Sequence, residues 1–223
     1  MDIHELKAGN LFDLQASVLG PKLREYAFPW EILPRLKEIL PALGEALKSQ
    51  GYQEIAPQVW AAENVIIAPT ASIQGPCIIG KGTEIRHCAY IRGNVLIGRK
   101  CVVGNSTELK NCVLFDCVQV PHYNYVGDAV LGKGAHLGAG SIISNLKSDK
   151  KPIVLSLHGE KLETGLRKFG AMVGDGVEVG CGCVLNPGTI IGRGCRIYPL
   201  NSVRGIVPEE HIYKKADAIV PIK

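Results

Sequence analysis

The chain has no stretch of about 18 apolar residues and no basic start followed by an apolar core. Neither a membrane-spanning helix nor a secretory leader is therefore expected. A strong charge of either sign is missing too. Its 25 basic and 21 acidic residues leave a net charge of +4, far from the footprint of a nucleic-acid binder. Eight cysteines are present, but Cys181 and Cys183 form one C-x-C with no second pair, so the metal signal is weak and no structural metal is expected. Cys77, Cys101, Cys183 and Cys195 fall where Ala, Thr or Val stand elsewhere in the repeat described next. They read as small buried hydrophobes in a reducing, cytoplasmic setting.

What the chain does have is a period of six. Ile67, Ile73, Ile79, Ile85, Ile91, Ile97, Val103 and Leu109 follow one another without a slip. Four places after each stands a small or compact residue: Ala71, Cys77, Thr83, Ala89, Val95, Cys101, Thr107 and Val113. The large residues return at Leu131, Leu137 and Ile143, and again from Val173 to Val203. A helix repeats at 3.6 and an ordinary strand at two, so neither explains six. A hexapeptide repeat does, and it predicts a parallel β-helix, with about 18 residues per coil in three short strands. The large residue points inward and stacks on its counterpart in the next coil, and the small one fits the corner.

The 223 residues suffice for one such core and a small appendage. Residues 1–61 have a different texture. Ile32, Leu36, Ile39, Leu40, Leu43 and Leu47 form a helical stripe, Pro34 and Pro41 divide it into short helices, and Gly51 is a stop. This segment is expected to cap an end of the β-helix, whose open edge would otherwise invite pairing. The coils are expected over 62–205. The register fails near 114–125, where a loop is predicted to leave the coil. A hairpin is predicted near 147–169, turning at His158-Gly159-Glu160 behind Lys147, Lys150 and Lys151, which form either a solvated loop or a basic rim for phosphates. Residues 206–223 form a C-terminal extension.

His122 sits at the broken register, and an imidazole titrating near neutrality can serve as a general base. Arg92 and Lys110 are 18 positions apart, one coil, so their side chains should lie one above the other. Two stacked cations repel unless an anion comes between them, which points to a phosphate.

Thr107-Glu-Leu-Lys110, His122-Tyr-Asn-Tyr125-Val-Gly-Asp128 and Leu137-Gly-Ala-Gly-Ser141-Ile-Ile-Ser-Asn145 carry a resemblance. Over about residues 62 to 205 the chain resembles the acetyltransferase half of bifunctional glucosamine-1-phosphate acetyltransferase/N-acetylglucosamine-1-phosphate uridylyltransferase. It is similar also to the β-helix domains of archaeal-type sugar-phosphate nucleotidylyltransferases. The resemblance implies a left-handed helix, a homotrimer with sites between subunits, and acetyl-CoA-dependent N-acetylation of a small-molecule amino-sugar phosphate, feeding synthesis of a UDP-N-acetylglucosamine-type precursor. By the same resemblance His122 would take the proton from the sugar amine, and Arg92 and Lys110 would hold the phosphate. Tyr125 and Asn145 would bind the sugar phosphate, and Ala139 and Cys181 would line the acetyl-CoA path.

Departures from the family pattern are local. His136 stands where the bacterial enzymes usually carry Asn, so it either alters the sugar preference or satisfies a coil hydrogen bond. Leu146-Lys-Ser148 replaces the usual Tyr-Asp-Gly after Asn145, and the hairpin is extra. Nothing resembles the Gly-rich nucleotide-gripping loop, and sixty residues leave no room for a nucleotide domain, so a stand-alone acetyltransferase is expected. Two other functions compete. A three-histidine zinc site fails on spacing, because His87 and His122 lack a partner at 117 or 127. A non-catalytic sugar-phosphate-binding or assembly subunit is the class-distinct alternative.

Overall fold

The computed structural model describes residues 3–222. Three stacks of parallel strands form the sides of a prism. The first side runs Val59–Ala61, Cys77–Ile79, Val95–Ile97, the C-terminal halves of Glu108–Leu114 and Tyr125–Leu131, then Ala171–Val173, Thr189–Ile191 and Ile206–Val207. The second runs Ile66–Ile67, Glu84–Ile85, Val102–Asn105, Gln119–His122, His136–Leu137, Glu178–Val179, Arg196–Ile197 and His211–Lys215. The third runs Ser72–Gln74, Tyr90–Arg92, the N-terminal halves of Glu108–Leu114 and Tyr125–Leu131, Ile142–Ile143, Val184–Leu185 and Ser202–Val203. This is the parallel β-helix that the six-residue period predicts. Ile85, Ile91, Val103, Leu109 and Val126 fill its interior with no exposure, each burial contributing about 1.5–3 kcal/mol.

The small residues do more than fit the corners. The Thr83 hydroxyl donates to the Gly98 carbonyl at 2.7 Å and accepts from the Cys101 N–H at 3.0 Å. The thiols of Cys101 and Cys195 bond the Phe115 and Pro208 carbonyls at 3.0 and 2.8 Å. Each therefore satisfies a corner carbonyl that the strand ladder leaves over.

Four expectations need correction. First, residues 114–125 do not leave the coil as a loop. Gln119 pairs with Val102 and Val120 with Val103, so the register is kept but each coil is 17 residues long. The missing residue is lost where the third side meets the first. Gly93 and Asn94 both turn there in one coil, whereas Asn111 (φ 50°) and then Asp128 (φ 48°) turn alone in the next two.

Second, the coils extend further than 62–205, from Val59 to Lys215, where His211–Lys215 turns back against Ala218–Pro221. Third, the N-terminal helices do not cap an end. Leu6, Leu11, Phe12, Trp30, Ile32, Leu33, Leu36 and Leu40 pack on Ile78, Leu96, Val113, Val130, Met172 and Ile190, the outward residues of the first side. The segment runs the length of the prism: the Arg193 guanidinium donates to the Gly9 carbonyl, the Asp175 N–H to Leu11, the Asp116 N–H to Ala16, and the Trp60 indole to Glu45.

Fourth, Pro41 does not break its helix, which spans Leu36–Leu47 and buries Leu36, Leu40, Gly44 and Leu47. Burial of that stripe outweighs the bond a proline removes. Gly44 lets the helix lie on the indole, because a Cβ there would meet the Trp60 ring at 2.3 Å. Gly51 does end this region, at φ 89°.

The predicted hairpin is Val154–Leu157 against Glu160–Glu163, inside an insertion that leaves from the corner between the third and first sides. Ile153, Leu155 and Phe169 bring it down onto the same covered side.

Candidate functional site

The third side carries the candidate residues along its two edges. At the edge shared with the second side, His122, Ala139 and Cys181 stand one per coil. The Gly140 N–H bonds the His122 carbonyl at 3.0 Å and the Gly182 N–H bonds the Ala139 carbonyl at 2.9 Å. Among the described residues, the Ala139 and Cys181 N–H groups have no partner within the chain, and both residues are exposed. The His122 imidazole is likewise exposed and makes no hydrogen bond among the described residues.

The turn presenting His122 is held from inside by Asn124, which is 3% exposed. Its amide donates to the Gly138 and Ser141 carbonyls at 2.9 and 3.2 Å, and its oxygen accepts the His122 N–H at 3.1 Å. Tyr123, between them, takes φ 51° and is 64% exposed. The sequence reading missed Asn124. The signal was available, because it stands 17 after Thr107 and 17 before Ser141 in the small-residue row.

The opposite edge holds a polar cluster built on Asp128. Lys110 Nζ lies 3.2 and 3.0 Å from its two oxygens, Asn111 Nδ2 donates at 2.7 Å, and Asn145 Nδ2 donates as well. The same Asn145 amide reaches the Tyr125 hydroxyl at 3.3 Å. Burial, followed by the negative charges of Asp128 and Glu108, pushes the Tyr125 phenol up. Gly127 makes the meeting possible, since a Cβ there would stand 2.5 Å from the Tyr125 oxygen and 2.9 Å from the Asn145 nitrogen. The insertion returns over this corner, with the Phe169 N–H on the Asn145 carbonyl and the Gly170 N–H on that of Asp128.

Arg92 and Lys110 stack in adjacent coils as their spacing predicts, next to the pair Ile91–Leu109. The protein supplies anions for both. Arg92 Nη1 is 2.7 Å from Glu108, and Lys110 is 3.0 Å from Asp128. Glu108, Asn111 and Asp128 are site residues that the sequence reading did not single out, although Asp128 closes the quoted motif. Stacked cations predicted an anion without saying whether it would be a ligand or a carboxylate.

His136 is not brought to either edge. It lies on the second side above Gln119, with Nδ1 2.8 Å from Glu178 of the next coil. Among the described residues no group of three His, Cys, Asp or Glu converges as metal ligands. No helix among them is long and apolar enough to cross a membrane.

Residues 61–166 match the family described as the GMPPB C-terminal domain. The chain is 33% identical over 208 residues to a bifunctional sugar-1-phosphate nucleotidylyltransferase/acetyltransferase of Sulfurisphaera tokodaii, a match covering 87% of this chain and 51% of that protein. It is 33% identical over 202 residues to the bifunctional protein GlmU of Methanococcus vannielii, covering 86% of this chain and 47% of the relative. The chain thus spans about half the length of the curated relatives it matches. Among solved structures, a D94N mutant of AntD, an N-acyltransferase from Bacillus cereus in complex with dTDP and coenzyme A, aligns at TM-score 0.43 and 18% identity, over 80% of this chain and 88% of that one.

Proposed function

We propose, starting from the homology of this chain to the GlmU-type bifunctional nucleotidylyltransferase/acetyltransferases, that it is an acetyl-CoA-dependent N-acetyltransferase of an amino-sugar phosphate. The acceptor class is glucosamine-1-phosphate or galactosamine-1-phosphate, and the product enters nucleotide-sugar synthesis of the UDP-N-acetylglucosamine type. The observation that carries this reading is the division of labour on the third side. One edge presents an exposed imidazole beside two unpaired backbone donors, and the other presents Tyr125, Asn145, Lys110 and Arg92.

In this mechanism the Ala139 and Cys181 N–H groups hold acetyl-CoA along the His122 edge. The sugar lies across the face with its phosphate toward Lys110 and Arg92. The amine attacks the thioester carbonyl as His122 takes its proton. The C–S bond then breaks, the amide forms and the CoA thiolate leaves. Such a base contributes about 10² to 10⁴ in rate. Donors aimed at the developing oxyanion add further stabilisation.

A homotrimer with sites between subunits fits the surface. Tyr123, Leu200, Tyr198, Ile142 and Val184 leave 64, 85, 45, 41 and 36% of their area exposed along the third side and its His122 edge. The first side is already covered by the N-terminal segment. Eight cysteines without a disulfide suit a reducing, cytoplasmic setting.

One observation favours a second reading. Arg92 and Lys110 are already neutralised by Glu108 and Asp128, which suits a protein that binds a sugar phosphate weakly or assembles with a nucleotidylyltransferase without turnover. Release of CoA thiol from acetyl-CoA, measured with both amino-sugar phosphates, decides between them. The enzyme's own exposed thiols are subtracted as a blank. Turnover that disappears in His122→Ala supports the acetyltransferase. Sugar-phosphate binding without turnover supports the binding subunit.

A further inference from the structure

Across the prism from the third side, where the first side meets the second, a groove runs between the coils and the N-terminal segment. Two adjoining cavities of about 630 and 460 Å³ share Gln15, Lys81, Arg99 and Asp116 in their walls. Ligand sites for small molecules commonly measure about 300–1,000 Å³. The corner behind the groove stacks one charged residue per coil: Glu63, Lys81, Arg99, Asp116 and Lys133, joined by bonds such as Lys100 N–H to the Lys81 carbonyl and Cys117 N–H to that of Arg99.

Three of the four cations at the groove pair with carboxylates that line it too, and the fourth, Lys100, leaves one positive charge in excess. Asp116 is turned inward, its side chain 10% exposed, and accepts from the Arg99 N–H, Nε and Nη2 at 2.7, 2.8 and 2.6 Å. Arg99 itself stays 60% exposed, with Nη1 unused by that carboxylate. Among the described residues Lys81 pairs with the exposed Glu63, at 2.5 Å, and Lys133 with Asp13, at 3.3 Å. Lys100 is exposed and makes no ion pair among the described residues.

Lys81 and Arg99 line both cavities, and the smaller one adds Lys100 and Lys133, with Asp13 and Asp116 beside them. The larger cavity adds the half-buried Tyr52, near Arg99 and Asp116, with Val18, Ile97 and the amide of Gln50; the amide of Gln15 lines both cavities. The cations suit phosphate oxygens, which Arg and Lys recognise by charge and paired donors. Tyr52 and the amides suit a flat ring with polar edges, which an aromatic face and side-chain amides recognise.

We propose that the groove between the N-terminal segment and the coil corner, lined by Gln15, Tyr52, Lys81, Arg99, Lys100 and Lys133, binds a nucleoside phosphate, with its phosphates on the cations and its base against Tyr52. The site is separate from the third side, and the proposal does not rest on the acetyltransferase reading.

Cys117 provides the readout, because it is exposed in the wall of the smaller cavity. Cys88 and Cys181 are also exposed, and they lie on the far edge of the prism, Cys181 beside His122 and Ala139. The folded chain is alkylated with limiting iodoacetamide, with and without millimolar UDP or ADP, and each peptide is followed by mass spectrometry. UDP or ADP is expected to slow labelling of Cys117 about tenfold while Cys88 and Cys181 label at unchanged rates. Lys100→Glu, an exposed and unpaired position, is expected to abolish the protection while leaving the melting temperature intact. The proposal is overturned if Cys117 labels at the same rate with either nucleotide. Protection of Cys181 instead also overturns it, since the nucleotide then sits on the candidate acetyl-CoA edge. Protection that survives Lys100→Glu overturns it as well. Acetyl transfer measured on the same preparation reports separately on the third side.

Discussion

Lys110 and Asp128 meet at 3.0 Å across a corner that turns on single residues, with 24% and 5% of their side chains exposed. The carboxylate is buried and receives two amide donors besides, and among the described residues the Lys110 ammonium is its one ion-pair partner. A buried carboxylate stripped of its cation is costly, whereas a buried pair replaced on both sides is often close to neutral.

Lys110→Met is therefore expected to destabilise the fold by about 2–4 kcal/mol in urea unfolding, below the range for fully buried pairs because Lys110 is partly solvated. Adding Asp128→Asn should recover at least half of that loss. A double mutant no more stable than Lys110→Met would show that the pair is not coupled.

Asn124→Ala removes three hydrogen bonds from a nearly solvent-free turn and leaves the Gly138 and Ser141 carbonyls without that donor. A loss of about 2–4 kcal/mol is expected from unsatisfied buried groups. If His122 acts in acetyl transfer, kcat should fall about tenfold or more with KM little changed. Steady-state kinetics on the residual folded protein checks this.

Gly127→Ala places a methyl between Tyr125 and Asn145. Overpacking of this kind costs about 1–3 kcal/mol, and it should separate the two side chains that the proposed sugar-phosphate site needs together. Isothermal titration with the amino-sugar phosphate is expected to show weaker binding, with His122-edge binding of CoA unchanged.

The thiols divide sharply. Cys88, Cys117 and Cys181 are exposed and the other five are buried, so three fast reactions with Ellman's reagent are expected in the native state. Burial pushes Cys77 and Cys101 up to about 12 and Cys195 up to about 11, from 9.0, and raises Cys112 as well. The folded chain keeps these protons where the unfolded chain gives them up. Their contribution is thus complete below pH 9 and is lost as pH rises toward 12, by up to about 1.4 kcal/mol per unit for each thiol. Urea midpoints from pH 8 to 11 should fall accordingly, and a flat profile would contradict the burial.

Trp30 is 1% exposed between Phe28 and Phe169, with ring centroids 4.6 and 5.5 Å away. Trp30→Ala should cost about 3–5 kcal/mol, the range for a buried aromatic. Differential scanning calorimetry is the direct check.

The β-helix was legible because its inward row is read by one rule, a large apolar residue every sixth place. The same rule failed at 114–125, since deleting one residue per coil shifts the period without breaking the stack. Asn111 and Asp128 can turn a corner alone in the left-handed region, and a reader counting sixes sees only lost register. The placement of the N-terminal stripe was illegible for another reason. Ile78, Leu96, Val113, Val130, Met172 and Ile190 form an outward apolar row, but in a chain whose strands are short and apolar they look like more interior. The candidate site was half legible. Spacing brought Arg92 over Lys110, while their partners Glu108 and Asp128 reach them diagonally or through a shortened coil. His136, a family departure read as a candidate for sugar preference or for a coil hydrogen bond, stands by its position in the coil on the second side, where it meets Glu178 of the next coil.

In a stack where each coil touches only the coils above and below, the ends can fray one at a time and stability accumulates coil by coil. The N-terminal segment removes that freedom. Gly9, Leu11, Ala16 and Glu45 bond Arg193, Asp175, Asp116 and Trp60, so its first residues grip the last coils and its last helix grips the first. It acts as a splint: peeling a terminal coil also strips contacts that the rest of the array depends on. The chain should melt in one cooperative step, although its architecture is that of a one-dimensional repeat.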